Sequence, residues 1–346
     1  MFFQMLEISL WQVGAVFISL WVGVELLRRV FSHPLDSAEA RRKAFPPEPG
    51  RHPHLLPADA LNGLKQESGF FEGMWWQVLI PKGSPTCLVI GVHGYADHSD
   101  YLMINHAREV ALKNNALVFL FDQTGFGRSD GLWAFIPDWF RHVASCGRII
   151  EFAKKKFPGL KTFGLGFSMG GAVLLSLCIE HKHVFDGMIL LAPMCRIADH
   201  LKPSSLIMAI LRVVSLLVPD LPVTPVPDLA MYAYREPRLF NAILARNHLN
   251  YKMQPRLATA WEMVRAQNWM EQNMEKVKTP FIILHGSADM IVDHSSSQEL
   301  VKRASSEDKE LVLLPGYAHC IMGAGQPVEL SLKPYALVTE WLKVRI

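Results

Sequence analysis

One short segment sets a serine where it could act as a nucleophile: Gly166-Phe167-Ser168-Met169-Gly170. A serine hydroxyl attacks a carbonyl only when a base removes its proton and a third group orients that base and balances its charge. Glycines two before and two after Ser168 leave room for a sharp turn that lifts the oxygen clear of a sheet. The pentapeptide alone is weak, since Gly and Ser are common residues. Its setting strengthens it: Thr162–Gly166 reads as a strand and Ala172–Cys178 as a helix. The partners must follow in the order acid, then histidine. His285-Gly286-Ser287-Ala288-Asp289 follows the strand Phe281–Leu284, and Pro315-Gly316-Tyr317-Ala318-His319 follows the strand Leu311–Leu314. Asp289 is read as the acid and His319 as the general base. Asp293 is the second choice of acid, nearer a helix start where a carboxylate would favour the dipole. In a chain with 14 histidines, order and placement select His319 rather than identity. The developing oxyanion needs two backbone N–H donors, one after the nucleophile and one in the loop after the third strand. Met169 and Tyr95 occupy those places.

Short apolar runs alternating with helical patterns position these groups, the sign of an α/β fold with a mostly parallel central sheet flanked by helices. Strands are expected at Met74–Ile80, Cys87–Val92, Ala116–Phe121, Thr162–Gly166, Gly187–Leu191, Phe281–Leu284 and Leu311–Leu314. Trp139, Val143, Cys146, Ile150 and Ala153 step by four and three, which puts one apolar stripe on a helix that covers the sheet. The strand rhythm stops after Pro193 and resumes past Met274, too long a gap for a simple loop. The division read from this is a core over 61–193 and 275–346, with an inserted helical cap over 194–274. Within the insertion, Leu206 to Val218 carries Arg212 as its only charge and is too short to cross a membrane. A buried cap helix is one reading; an apolar mouth that meets lipid or admits an acyl chain is the other.

Other chemistries find less support. His93 and His98 lack a third ligand at a supporting spacing, so no metal is expected. The loop Gly125 to Gly131 follows a strand but lacks both the last glycine of a dinucleotide fingerprint and the Gly-Lys-Ser/Thr of a P-loop. Five widely spaced cysteines form neither a disulfide framework nor a zinc site. Lys+Arg 35 against Asp+Glu 32 gives a net charge of +3, no basic field for nucleic acid. Half of the 346 residues are apolar and 19% are charged, as in a globular protein with a sizeable core.

The N-terminal segment 1–30 is a separate question. Ile8 to Val24 has no charge and approaches the lower length of a bilayer span, with Arg28, Arg29, Arg41, Arg42 and Lys43 after it. The leading reading is a single membrane anchor that leaves the catalytic domain facing the cytosol. A cleaved signal peptide, with Ala38-Glu39-Ala40 as its cleavage site, and an amphipathic helix packed on the domain are the alternatives. Prolines between Phe45 and Pro57 make 31–60 a linker, with the folded domain starting after it.

Taken together, His93-Gly94-Tyr95-Ala96-Asp97-His98-Ser99, Asp122 to Gly131, Gly166 to Gly171, Ala192-Pro193-Met194 and Gly286-Ser287-Ala288-Asp289 resemble monoacylglycerol lipases of the α/β-hydrolase superfamily. The likeness is nearest to the plant-type branch with caffeoylshikimate esterases, runs from Gly69 to Leu342, and is specific because the pieces fall in the family's order. It implies an α/β-hydrolase fold and an ester hydrolase, cytosol-facing or peripheral to a membrane. It also implies Ser168, Asp289 and His319 as triad, Tyr95 and Met169 as oxyanion donors, and no cofactor. Two departures stand out: Phe167 where the family has His or Glu, and Asp97 where it has Glu. The expected reaction is cleavage of lipid esters, monoacylglycerol to fatty acid and glycerol, through an acyl-enzyme on Ser168. A lysophospholipase, a phenolic-ester esterase, an acyltransferase or a non-catalytic binding module are the alternatives. The expected partners are an apolar ester and a membrane surface; oligomeric state is left open.

Overall fold

A computed structural model describes residues 10–46, 63–181, 183–201, 204–226, 230–234, 247–321 and 328–346. Among these residues the centre is one eight-stranded sheet in the order β1-β2-β4-β3-β5-β6-β7-β8. The strands are β1 (Lys65–Phe71), β2 (Met74–Ile80), β3 (Leu88–Val92), β4 (Leu117–Phe121), β5 (Thr162–Phe167), β6 (Gly187–Leu191), β7 (Phe281–Gly286) and β8 (Lys309–Leu314). β1 and β2 form an antiparallel hairpin, β2 also pairs antiparallel with β4, and the remaining pairs are parallel. All seven expected strands are present within two residues at each end. β1 is the addition.

Helices bury both faces of the inner parallel strands β3 to β7, so these strands read as continuous apolar runs. Leu88, Ile90, Val92, Leu117, Phe119, Phe121, Met188 and Leu190 share one core layer with α4 (Trp139–Lys156) and α5 (Met169–Glu180). Val89, Val118, Leu120, Ile189 and Leu191, the alternate positions, share the other with α3 (Leu102–Asn114) and the last helix, α10 (Val328–Lys343). The stripe read on α4 is fully buried: Trp139, Val143, Cys146, Ile150 and Ala153 are all without exposure.

Between β6 and β7 lie α6 (Ser205–Leu217), the short α7 (Ala230–Ala233) and α8 (Leu257–Glu271). α8 is bolted to the core by buried polar groups. The Thr259 hydroxyl accepts from the Ile136 N–H at 2.8 Å, the Glu262 carboxylate from the Trp139 N–H at 2.9 Å, and the Gln267 amide oxygen from the Ile197 N–H at 3.0 Å. α6 is different: among its side chains only Ser215 is buried, and Leu206, Val213, Leu216 and Leu217 face outward. α9 (His294–Arg303) follows β7.

Two N-terminal expectations change. Among the described residues no helix is long and apolar enough to cross a membrane, so the anchor assigned to 1–30 is not supported. At the end of α1 (Leu10–Val30), Arg28 pairs with Glu25 at 2.6 Å and with Asp220 of the insertion at 3.0 Å. Val24 and the following Phe31 pack with Leu211, Val214, Val218, Leu221 and Leu257. This end of the helix is docked on the insertion.

The second change concerns 31–60. Its first half is folded, and 47–60 lies outside the described residues. α2 (Ala38–Ala44) begins at Ser37, which caps the Ala40 N–H at 3.1 Å, and it contains the tripeptide considered as a cleavage site. Arg41 is wholly buried and donates to the carbonyls of Leu35, Asp36, Gly127, Ser129 and Gly131. Burial lowers its pKa to about 10, so it remains charged at neutral pH. Asp36 pairs with the buried Arg256, which also donates to the carbonyls of Trp133 at 2.6 Å and Asp220 at 2.5 Å. A bundle of backbone carbonyls is thus satisfied by arginines from distant parts of the chain.

Candidate active site

β5 ends, the chain turns at Ser168, and α5 starts at Met169. Ser168 sits at φ 51°, ψ −114°, a conformation that L side chains rarely adopt and that surrounding structure must impose. Its N–H donates to the Leu191 carbonyl at 2.9 Å, and its own carbonyl accepts from the N–H groups of Met194 at 3.0 Å and Ala172 at 3.2 Å. The flanking glycines are needed for space. A Cβ at Gly166 would lie 2.7 Å from the Gly171 nitrogen, and one at Gly170 would overlap the Val92 carbonyl oxygen.

The loops after β7 and β8 bring in the two partners. His319 Nε2 lies 3.0 Å from Ser168 Oγ, and its Nδ1 lies 2.7 Å from Asp289 Oδ2. Ser168 is 8% exposed and His319 4%, and the Asp289 side chain is shut off from solvent. An ionised carboxylate only accepts, so Nδ1 carries the proton and Nε2 turns a lone pair to the hydroxyl. Asp289 Oδ1 accepts from the N–H groups of Ile291 at 2.8 Å and Val292 at 3.0 Å. Burial alone would raise the pKa of Asp289, but His319, His285 and their hydrogen bonds together hold it well below the ordinary carboxylate range. Asp293, the second choice of acid, instead caps α9 through the Ser295 N–H and pairs with Arg196 at 2.9 Å.

Sequence reasoning passed over His285, which closes β7 and puts Nε2 3.0 Å from Asp289 Oδ2. The signal available was a histidine at the strand end four residues before the acid. It also passed over the scaffold of the loop after β3. Gln123 donates its backbone N–H to His93 Nε2 at 3.0 Å and its amide to the His93 carbonyl at 2.7 Å, while His142 Nε2 meets its amide oxygen at 2.9 Å. Asp122 accepts from the Ser99 N–H at 2.7 Å and the Arg128 N–H at 2.8 Å. The Gly125–Gly131 loop is therefore structural support for the site. His98 meets Asn247 at 2.7 Å, and no metal-ligating cluster occurs among the described residues.

Tyr95 lies in the loop after β3, beside Gly94, where a Cβ would stand 3.0 Å from the Phe167 ring. Met169 opens α5, where the first N–H groups of a helix lack intrahelical acceptors. Phe167 sets its ring 5.1 Å from that of His319, an apolar wall beside the base. An apolar cavity is lined by Tyr95 and Ile291 of the core and by Ile197, Met208, Leu211 and Trp261 of the insertion. The arrangement can deprotonate a serine, and Ile291, whose N–H holds Asp289, also lines the apolar cavity.

The model of the hydrolase family described as serine aminopeptidase, S33, matches residues 83–325 of the chain. The chain belongs to this family. The match spans β3 to β8, the elbow and both partner loops. Human monoglyceride lipase is 26% identical over 284 residues, covering 79% of this chain and 88% of that protein. Caffeoylshikimate esterase of Arabidopsis thaliana is 26% identical over 292 residues, covering 82% and 87%. Among solved structures, a soluble variant of monoglyceride lipase from Saccharomyces cerevisiae with a substrate analog superposes with a TM-score of 0.70 at 20% identity, over 81% of this chain and 94% of that one. That likeness shows the α/β-hydrolase fold.

Proposed function

We propose that this S33-family hydrolase cleaves carboxylic esters of lipids, monoacylglycerols foremost, through an acyl-enzyme on Ser168. The observation that carries the reading is His319 standing between Ser168 Oγ at 3.0 Å and Asp289 Oδ2 at 2.7 Å. Ser168 Oγ bonds to the ester carbonyl carbon as its proton passes to His319 Nε2. Asp289 balances the imidazolium, and the N–H groups of Tyr95 and Met169 receive the oxyanion. The ester C–O bond then breaks, the leaving alkoxide takes the proton from His319, and the acyl group stays on Ser168. Water, deprotonated by His319, attacks the acyl carbonyl, and its proton returns to Ser168 as the carboxylic acid leaves. No cofactor enters this sequence.

The acyl chain is assigned to the cavity beneath a cap formed by 194–274, because the lining there, Thr224 apart, is aliphatic or aromatic. That lining favours an alkyl chain over a hydroxylated phenolic acid, and the curated relatives named for monoglycerides support the same choice. Another feature supports attachment to a lipid surface. The outward side chains of α6, Leu206, Ile210, Val213 and Leu217, and those of α1, Leu20, Trp21 and Leu27, sit on two helices joined through Val24, Leu211 and Val214. Two linked helices with exposed apolar faces fit an interfacial attachment, lying on a membrane and not through it.

The test is release of fatty acid by the purified full-length chain from monoacylglycerols of graded acyl length, beside short soluble esters, with a competing alcohol to expose acyl transfer. Hydrolysis of long-chain monoacylglycerols that is lost in Ser168→Ala is the expected result. Brisk cleavage of short esters with no fatty acid released from any monoacylglycerol would overturn the lipid assignment.

A further inference from the structure

We propose that His285 is a positioning residue for the relay: a neutral imidazole, protonated on Nε2, that locks the Asp289 carboxylate and tempers its pull on His319. The inference rests on the relay proposed above. His285 is fully buried at the end of β7. Its Nε2 lies 3.0 Å from Asp289 Oδ2 and 3.3 Å from the Val292 carbonyl oxygen. Both neighbours only accept, so Nε2 carries a proton. Nδ1 lies 2.8 Å from the hydroxyl of Ser297, a wholly buried residue of α9. A serine hydroxyl can donate, and donation to Nδ1 leaves the ring neutral.

Neutrality matters for turnover. Asp289 Oδ2 receives both the His285 and His319 nitrogens, at 3.0 and 2.7 Å. A charged His285 would set a second cation against the same oxygen and oppose the proton transfer from Ser168 to His319. The Ser297 hydroxyl blocks that by occupying the Nδ1 lone pair. The other titratable ring nearby is His294 of α9, 6.3 Å away and edge-on, and the neighbouring carboxylate of Asp293 is engaged by Arg196 and Ser295. With the Ile291 and Val292 N–H groups on Oδ1 and the two imidazoles on Oδ2, Asp289 has four donors, about the full complement of a carboxylate. It has no orientation left in which to swing away from His319.

The experiment compares His285→Leu, His285→Gln and Ser297→Ala with wild type on a chromogenic short-chain ester, reading kcat, KM and the acid limb of kcat/KM, with Ser168→Ala as control. His285→Leu removes a donor from Asp289 and strengthens its hold on the imidazolium. The expected result is a kcat lower by about tenfold to a hundredfold, the scale of a displaced catalytic group, with KM within about twofold and the acid limb moved to higher pH. His285→Gln, whose amide can still donate to Oδ2, should recover most of the loss. Ser297→Ala, which frees Nδ1 to take up a proton, should also move the acid limb upward. If His285→Leu fails to fold, the Gln and Ala variants decide by the same criteria. Wild-type kcat and acid limb in Ser297→Ala together with either His285 variant would overturn the proposal, as would a loss in His285→Leu that His285→Gln does not recover. Persistence of activity in Ser168→Ala would instead overturn the relay itself, a distinct outcome.

Discussion

A hydroxyl held at φ 51° between a strand and a helix has little freedom to leave the line to His319, and that constraint is where the chemistry starts. Replacing Ser168 by Ala removes the proposed nucleophile without adding volume. Turnover should fall about 10⁴-fold or more, the scale seen when a triad member is lost, while thermal unfolding stays close to wild type. Near-normal turnover of a purified S168A protein would remove Ser168 from the reaction. Gly170→Ala tests the turn itself. Its methyl would overlap the Val92 carbonyl oxygen, which belongs to backbone in the middle of the sheet and cannot step aside cheaply. Activity and unfolding temperature should drop together, because the turn and the sheet beside it must shift as one. A Gly170→Ala protein as stable and active as wild type would mean that the close approach is not needed.

At the level of elements, the exposed apolar faces of α1 and α6 and the buried clasp around Arg41 make opposite predictions. Val213 and Leu217 are 61% and 72% exposed, so changing both to Glu should leave stability and short-ester turnover unchanged while weakening binding to phospholipid vesicles at least several-fold. Unaltered vesicle sedimentation of V213E/L217E would refute the lipid-facing role. Arg41→Ala acts inside: five carbonyls lose their donor, and an unmet buried polar group costs about 1–3 kcal/mol. The denaturant midpoint should fall sharply, by an amount worth about 3 kcal/mol or more in stability; a midpoint equal to wild type would show that 33–46 is dispensable. These same elements mark what the sequence could reveal. Six of the seven strands were legible because near-complete burial makes them apolar runs, the edge strand β8 through its Leu311–Leu314 run, and Ser168, Asp289 and His319 because strand ends fix their order. β1 was not, since an edge strand such as Lys65-Gln66-Glu67-Ser68 has no apolar run to betray it. Arg41 sits among Arg42, Lys43 and prolines, a pattern that reads as a solvated link, and three of its five carbonyl partners lie nearly ninety residues away. His285 was hidden for a related cause: nothing local tells that a strand-end histidine will meet a carboxylate and not solvent.

For the whole molecule, the buried titratable groups set how stability depends on pH. Burial lowers the pKa of His93 to about 4 and of His106 and His142 to about 3, so each stays neutral in the fold where the unfolded chain would take up a proton. Their contribution is present above about pH 6.5, the ordinary histidine value, and is lost as pH falls toward those lowered values. Asp97 has the opposite sign. Burial raises it to about 6, so the fold keeps its proton where the unfolded chain has released it, and that contribution fades as pH rises through about 6. Three histidines against one aspartate leave a net of about two protons taken up on unfolding between pH 4 and 6, and stability should fall with acid at roughly 1.4 kcal/mol per proton per pH unit. Below that range Asp289, whose pKa is depressed, adds to the loss as it too becomes protonated. His106 isolates one proton from the chemistry, since it lies on α3 with its ring 5.5 Å from Tyr335 of α10, on the layer opposite α4 and α5. In His106→Phe the denaturant-derived stability should lose about one proton's worth of its pH slope between pH 4 and 6, with the acid limb of turnover unmoved. A slope identical to wild type would mean that this imidazole already takes its proton inside the fold, and that burial on this side of the sheet does not hold it neutral.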